Sequence, residues 1–166
     1  SRMNSNWRIG IARYFNPISN HFSGLIKDNP QGLAVNLIPY IVKVAQKKLP
    51  YLKIYGKNYN TKDGTCIRDY IHVMDLADAH VAMLKNIKKF KDIDIYNFGS
   101  GKGSTVLEVV KAFENKTGIN IPFKFIKRRQ GDAAATFCSP QKAFKYLSWK
   151  ITRNLAKAMT DIKASI

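Results

Sequence analysis

The sequence predicts an α/β fold, and three observations carry that prediction. Short apolar runs of strand length, at residues 7–14, 51–55, 93–98 and 121–127, alternate with longer stretches of helical periodicity. Capping signals stand at a helix boundary, with Thr105 and Glu108 spaced as a capping box and Gly118 closing the same helix. Glycine and proline punctuate the joins, as in Phe15-Asn16-Pro17 and Gly99-Ser100-Gly101-Lys102-Gly103.

Residues 7–14 alternate as a strand does, and Phe15-Asn16-Pro17 should break it into a long loop marked by Gly24, Pro30 and Gly32. A helix is expected over 36–48, with Pro39 tolerated in its first turn and Pro50 stopping it. Residues 51–55 read as a strand and 56–65 as a polar loop. After an extended segment over 68–73, Asp75 should cap a helix reaching about Phe90, with Leu76, Ala79, Val81, Ala82, Met83 and Leu84 mainly on one side. The strand 93–98 leads through the glycine run into a helix started by Ser104 and Thr105, and then comes the strand 121–127. Ser139-Pro140 opens a helix to Leu147, and Thr152 is expected to cap the last one. No repeat or linker interrupts the chain, so residues 1–166 read as one unit.

Bulk properties exclude several classes. No run approaches the roughly 20 apolar residues of a membrane helix, and Ser1-Arg2-Met3-Asn4-Ser5-Asn6 is no apolar leader. Cys66 and Cys138 lie far apart without a pattern, which suits a reducing, cytoplasmic location. The balance of 28 Lys+Arg against 11 Asp+Glu, a formal +17, attracts polyanions. The lysines are dispersed along the sequence, however, so solvated faces are the preferred reading and nucleic-acid binding the lesser one.

The motifs that carry chemistry are sparse. Gly99-Ser100-Gly101-Lys102-Gly103 sits between strand and helix, where a dinucleotide fingerprint belongs, but Ser104 replaces its last glycine and the next strand ends in lysine. A tight turn is the better reading. Tyr146 and Lys150 have the Tyr-x-x-x-Lys spacing but stand beside a helix break, so the match is coincidental. His72 and His80, with Asp75 and Asp78 between them, lack zinc-ligand spacing and read as a cap and surface polar residues. What remains is a dispersed set suited to a phosphorylated ligand: Asn16, Asn36, Arg68, Arg129 and Asp132. Arginine grips a diphosphate through a planar fork, asparagine donates to phosphate or sugar oxygens, and an acid accepts from a ribose hydroxyl.

The run from Thr61 to His80, TKDGTCIRDYIHVMDLADAH, resembles the UDP-glucose 4-epimerases, a branch of the extended short-chain dehydrogenase/reductases. Arg13-Tyr14-Phe15-Asn16-Pro17, Asn36-Leu37-Ile38-Pro39-Tyr40-Ile41, Tyr96-Asn97-Phe98-Gly99, Val106-Leu107-Glu108-Val109-Val110 and Arg128-Arg129-Gln130-Gly131-Asp132 fit in order. The resemblance extends to about Asp161. It implies the C-terminal, substrate-binding part of such an enzyme, with a few strands of an incomplete Rossmann-type parallel sheet. It also implies NAD as cofactor, UDP-glucose and UDP-galactose as substrates, and a homodimer for the complete enzyme. In that family NAD takes a hydride from the sugar C4, the keto intermediate rotates, and the hydride returns to the other face.

The family's glycine fingerprint and its catalytic Ser/Thr, Tyr and Lys precede the Arg-Tyr-Phe-Asn-Pro segment and are not among these residues, so the fragment alone is expected to be inactive. By the resemblance, Asn16, Arg68 and Arg129 contact the diphosphate and Asn36 and Leu37 lie against the nucleotide. Tyr55 lies near the uracil, Asp132 binds the ribose, and Tyr14 touches the nicotinamide. Thr136 stands where members carry a tyrosine or a smaller residue, which implies room for an N-acetyl group on the sugar. The chain departs from the family at Ser19-Asn20, at Val35 (where a paired asparagine is expected) and at Ser148. A related epimerase of UDP-pentoses or UDP-uronates, or a non-catalytic nucleotide- or RNA-binding module, are the alternatives. Without the remaining strands, an unpaired edge and an uncovered apolar face are expected, and with them marginal stability.

Overall fold

The computed structural model describes residues 7–28, 30, 32, 36–164 and 166, so the departure at Val35 lies outside the described residues. The elements run β1 (Ile9–Tyr14), β2 (Asn16–Ile18), α1 (Leu37–Ala45), β3 (Leu52–Tyr55), β4 (Ile67–His72) and α2 (Val73–Asn86). They continue as β5 (Ile93–Phe98), β6 (Gly103–Thr105), α3 (Val106–Thr117), β7 (Phe123–Ile126), β8 (Ala135–Thr136), α4 (Gln141–Leu147) and α5 (Leu155–Lys163). The alternation of strand and helix expected from the sequence is present.

Crossovers make the strand pairs mainly parallel. β1 pairs β5 in parallel, from Ile9 opposite Ile93 to Tyr14 opposite Phe98. β3 pairs β7 in parallel, with Leu52 opposite Phe123 and Tyr55 opposite Ile126. β4 is the hub of the third sheet: its end (Tyr70 to His72) runs parallel to β2, while its start runs antiparallel to β6 and parallel to β8.

Two cores result. Ile41, Leu52, Ile54, Val109, Phe113, Met159 and Ile162 join α1, β3, α3 and α5. Ile71, Ala79, Met83, Tyr96, Phe98, Leu147 and Trp149 join β4, α2, β5 and α4. In the second core the Trp149 edge meets the Phe98 ring at 84°, and its indole N–H donates to the Asp75 carbonyl at 2.9 Å. One face of the β1–β5 pair packs here, and a Cβ on Gly10 would meet Met83 Cε at 2.4 Å. The opposite face leaves Ile11 at 40% and Ile93 at 47% exposure, and among the described residues β1 has no partner but β5. The expected uncovered apolar face is therefore present.

Several boundaries differ from the sequence reading. The Phe15-Asn16-Pro17 break is a switch between sheets: Phe15 N donates to Phe98 O, and the next three residues form β2 on β4. Proline is tolerated there because β2 is short and pairs along one edge. α1 closes at Ala45, ahead of Lys47 in the left-handed region at φ 58°, and α2 yields to a single 3-10 turn, Ile87–Lys89. His72, not Asp75, caps α2, its Nδ1 accepting from Met74 N at 3.1 Å. Asn154, not Thr152, caps α5, and Thr152 Oγ1 instead donates to Asp75 at 2.7 Å. The capping box of Thr105 and Glu108 and the left-handed Gly118 stand as expected.

The departures at 19–20 and 148 are built into the packing. Ser19 Oγ donates to Ala158 O at 2.9 Å, and Asn20 Oδ1 accepts from Asp28 N at 3.2 Å. Ser148 closes α4 at φ 51°, a backbone state that glycine adopts more readily. It also separates Tyr146 from Lys150, which share no helix, in keeping with a coincidental spacing.

Candidate functional site

A cleft of about 240 Å³ opens where the ends of β2, β3 and β4 meet the start of α1 and the turn at residues 129–132. Asn16, Asn36, Leu37, Tyr55, Arg68, Arg129 and Asp132 all line it, although 116 positions separate the first from the last in sequence. Topology explains the convergence. β2 continues β1 onto β4 and so brings Asn16 beside Tyr70, while the β3–β7 pairing brings the turn after β7 beside Tyr55.

The polar wall is rigid. Arg68 spends one terminal nitrogen on two carbonyls, Ile67 O at 2.7 Å and Ala133 O at 2.9 Å. Its other terminal nitrogen donates to Asp132 Oδ1 at 2.9 Å, with the side chains 17% and 27% exposed. A fork held at three points has its orientation set before any ligand arrives. Gly131 makes the tight turn behind Asp132 possible, with φ 80° and open space where a Cβ would stand. Arg129 stacks its guanidinium 3.8 Å from the centre of the Tyr55 ring. The cleft floor is apolar, with Ile38, Leu52, Ile54 and Val106.

Lys53, Cys66 and Tyr70 also line the cleft and were missed as site residues. The alternation in β3 carried a signal for Lys53, a lone cation between buried Leu52 and Ile54. Burial pushes the Cys66 thiol and the Tyr70 phenol upward, so both stay neutral at pH 7. Two expected site residues stand apart from this cleft. Tyr14 ends β1 on the α2 side, half exposed, with its hydroxyl 2.6 Å from His80 Nε2. His80 Nδ1 lies 2.7 Å from Leu76 O, which can only accept, so Nδ1 carries the proton and the Tyr14 hydroxyl donates to Nε2. Thr136 is exposed on β8, directly opposite Arg68 in the β4–β8 register.

The acids within the 61–80 run hold the fold. Asp63 accepts from Thr65 N at 2.9 Å, Thr65 Oγ1 at 2.7 Å and Thr105 Oγ1. Burial works upward on its carboxyl, but these bonds outweigh it and leave it below the usual carboxylate range. Asp69, fully buried, accepts from Ser100 N and Oγ at 2.6 Å each, Gly101 N at 2.9 Å and Cys138 N at 3.2 Å. The glycine turn is thus filled by a carboxylate of the protein itself, and a Cβ on Gly99 would meet Asp69 Oδ2 at 2.6 Å. No dinucleotide phosphate fits there. Asp75 ties α2 to the segment before α5 through Thr152 and Arg153. His72 is buried, so its reading as a surface residue is corrected; Asp75, read as a cap, is buried too, whereas Asp78 and His80 are exposed. Both cysteines are free, and no helix among the described residues is long and apolar enough to cross a membrane.

Comparison with known proteins places this chain in a family. The chain is 53% identical over 162 residues to a UDP-glucose 4-epimerase of Cyamopsis tetragonoloba, covering 96% of this chain and 46% of that protein. It is 46% identical over 155 residues to the UDP-glucose 4-epimerase of Bacillus subtilis, covering 93% and 46%. Among solved structures, the Bifidobacterium longum UDP-glucose 4-epimerase in complex with NAD+ and UDP matches with a TM-score of 0.94 and 41% identity, covering 99% of this chain and 49% of that one. The Stenotrophomonas maltophila enzyme with bound NAD and formylated UDP-arabinopyranose matches at 0.93 and 40%, covering 99% and 48%. The chain thus spans about half the length of the relatives it matches. The family model for NAD dependent epimerases/dehydratases matches residues 1–99, more than half of the 166, and the chain belongs to that family.

Proposed function

We propose that residues 1–166 are the UDP-sugar-binding part of a UDP-glucose 4-epimerase, which in the whole protein interconverts UDP-glucose and UDP-galactose. The observation that carries the reading is the convergence of seven dispersed polar, aromatic and apolar residues on one cleft. Arg68 and Arg129 grip the diphosphate, with Asn16 donating to it, and Asp132 accepts from the ribose. Tyr55 flanks the uracil, while Asn36 and Leu37 close over the nucleotide. Gripping the ligand through these groups puts binding energy on the part that does not react, which orients the sugar.

NAD supplies the hydride acceptor in the whole protein. Within these residues the family resemblance assigns Tyr14 toward its nicotinamide, while the glycine turn is filled by Asp69. The family's glycine fingerprint and catalytic Ser/Thr, Tyr and Lys are not among the 166 residues, which alone do not epimerise. Thr136 is assigned to the sugar end, where its small side chain leaves room for an N-acetyl group; a whole enzyme that turns over UDP-glucose but not UDP-GlcNAc removes that extension. The whole enzyme is a cytoplasmic homodimer in this reading.

Calorimetric titration of the chain with UDP and with uridine tests the assignment. One site for UDP, and much weaker binding of uridine, is expected. No heat up to millimolar UDP, or equal affinity for uridine, overturns it.

A further inference from the structure

The charge of this chain is unevenly placed once it is folded. Residues 29–62 and 115–131 contain no Asp or Glu, and between them they hold eleven of the 28 Lys and Arg. All eleven acids lie in the rest of the chain. The two acid-free stretches are far apart in sequence, and the parallel pairing of β3 with β7 joins them, Lys53 lying directly opposite Lys124.

Around this pair stand Lys53, Lys57, Lys124, Lys127, Arg128 and Arg129, all exposed. Among the described residues none of the six has a carboxylate within ion-pair distance. Aromatic rings interleave with them. Lys124 Nζ lies 4.4 Å from the Tyr51 ring centre and Arg128 lies 3.9 Å from that of Tyr59, which holds these cations in place. Phe123 and Phe125, at 40% exposure each, stand edge to face on the side of β7 opposite Lys124, at the strand's open edge. A hollow beside them is lined by Lys57, Asn58, Phe125, Lys127 and Arg128 and is distinct from the UDP-sugar cleft.

We infer that the open edge of β7, where this hollow lies, docks single-stranded nucleic acid. Cations without internal partners supply the counterion-release attraction to successive phosphates, and exposed phenylalanine edges beside the open hollow supply sequence-tolerant stacking. An acidic peptide would meet the same cations but would leave the aromatic rings unused.

The test is fluorescence anisotropy of a labelled twelve-nucleotide uridine RNA against the full chain. Engaging about four phosphates predicts a fall in affinity of about fiftyfold between 50 and 200 mM salt. The triple variant K57E/K124E/K127E, which leaves the UDP-sugar cleft untouched, is expected to weaken binding at least tenfold more than K85E/K88E/K150E, which changes net charge equally elsewhere. Phe125→Leu, which keeps bulk and removes the ring, is expected to weaken binding severalfold at an unchanged salt slope. Equal losses in the two triple variants would assign the binding to overall charge and overturn the inference. So would labelled polyglutamate of twelve residues binding as tightly as the RNA, an unaltered affinity in Phe125→Leu, or no RNA binding at 50 mM salt.

Discussion

Replacing Arg68 by alanine is the sharpest perturbation of the proposed UDP site. The substitution removes three donated bonds, to Ile67 O, Ala133 O and Asp132, and leaves the Asp132 carboxylate alone in the cleft. Both side chains are mostly shielded from water, at 17% and 27% exposure. Truncating one partner of a hydrogen-bonded charge pair between protein and ligand costs roughly 2–5 kcal/mol in binding, and the partial exposure of Arg68 places its proposed contact with the diphosphate near the lower end. A loss of about 2–3 kcal/mol corresponds to a UDP dissociation constant raised about 30- to 150-fold. Part of that loss is repulsion between the bared Asp132 and the ligand diphosphate. Adding Asp132→Asn to Arg68→Ala should therefore recover some affinity, whereas Asp132→Asn alone should weaken binding. Arg68→Lys keeps a charge but cannot span three acceptors, so an intermediate loss is expected. Calorimetry on the four proteins, with circular dichroism confirming the fold, measures the cycle. A loss below threefold in Arg68→Ala, or strictly additive single effects, would refute the view that Arg68 and Asp132 act as one unit.

Three further outcomes concern the residues that hold the frame. Asp69→Asn should cost about 3 kcal/mol in urea unfolding, since a buried carboxylate that satisfies three backbone N–H groups becomes an amide with one accepting oxygen, while exposed Asp78→Asn should change stability by less than about 0.5 kcal/mol. Burial holds the His72 imidazole below its usual value against the upward pull of Asp161, so the unfolded chain takes up the proton first. The His72 contribution is then fully present above about pH 6.5 and is lost as the pH falls below it; the urea midpoint should drop between pH 7 and 5.5, and His72→Gln should flatten that slope. The Cys138 thiol, buried and pushed up to about 12, should resist a thiol-specific reagent at pH 8. Rapid labelling of the native Cys66→Ser variant, where Cys138 is the remaining thiol, would contradict its burial.

The boundary between what sequence and structure each decided follows the range of the interactions. Local chemistry was legible: the capping box at Thr105 and Glu108 and the left-handed Gly118 are set within one turn of chain, and both stand as read. The periods of β5 and α3 were equally local, whereas Gly103-Ser104-Thr105, read as the end of the turn and the helix start, forms β6 on β4, a pairing set by tertiary structure. The resemblance of the 61–80 run to the epimerases was legible too, and with it the candidate residues. Their convergence was not, because Asn16, Tyr55, Arg68 and Asp132 meet only through the β2–β4 and β3–β7 pairings. The same limit explains the misplaced caps: Asp75 and Thr152 have capping side chains, but each found a better partner in the other, 77 positions away. Asp69 looked like one more acid in a polar run, and only the folded chain shows it filling the glycine turn. Lys53 and Lys124, far apart in sequence, likewise come side by side only once β3 pairs with β7. Residue type and spacing determine what a short segment can do by itself; which distant segment satisfies a buried carboxylate, or shares a surface with a lysine, is decided by tertiary packing, where desolvation makes unpartnered groups costly.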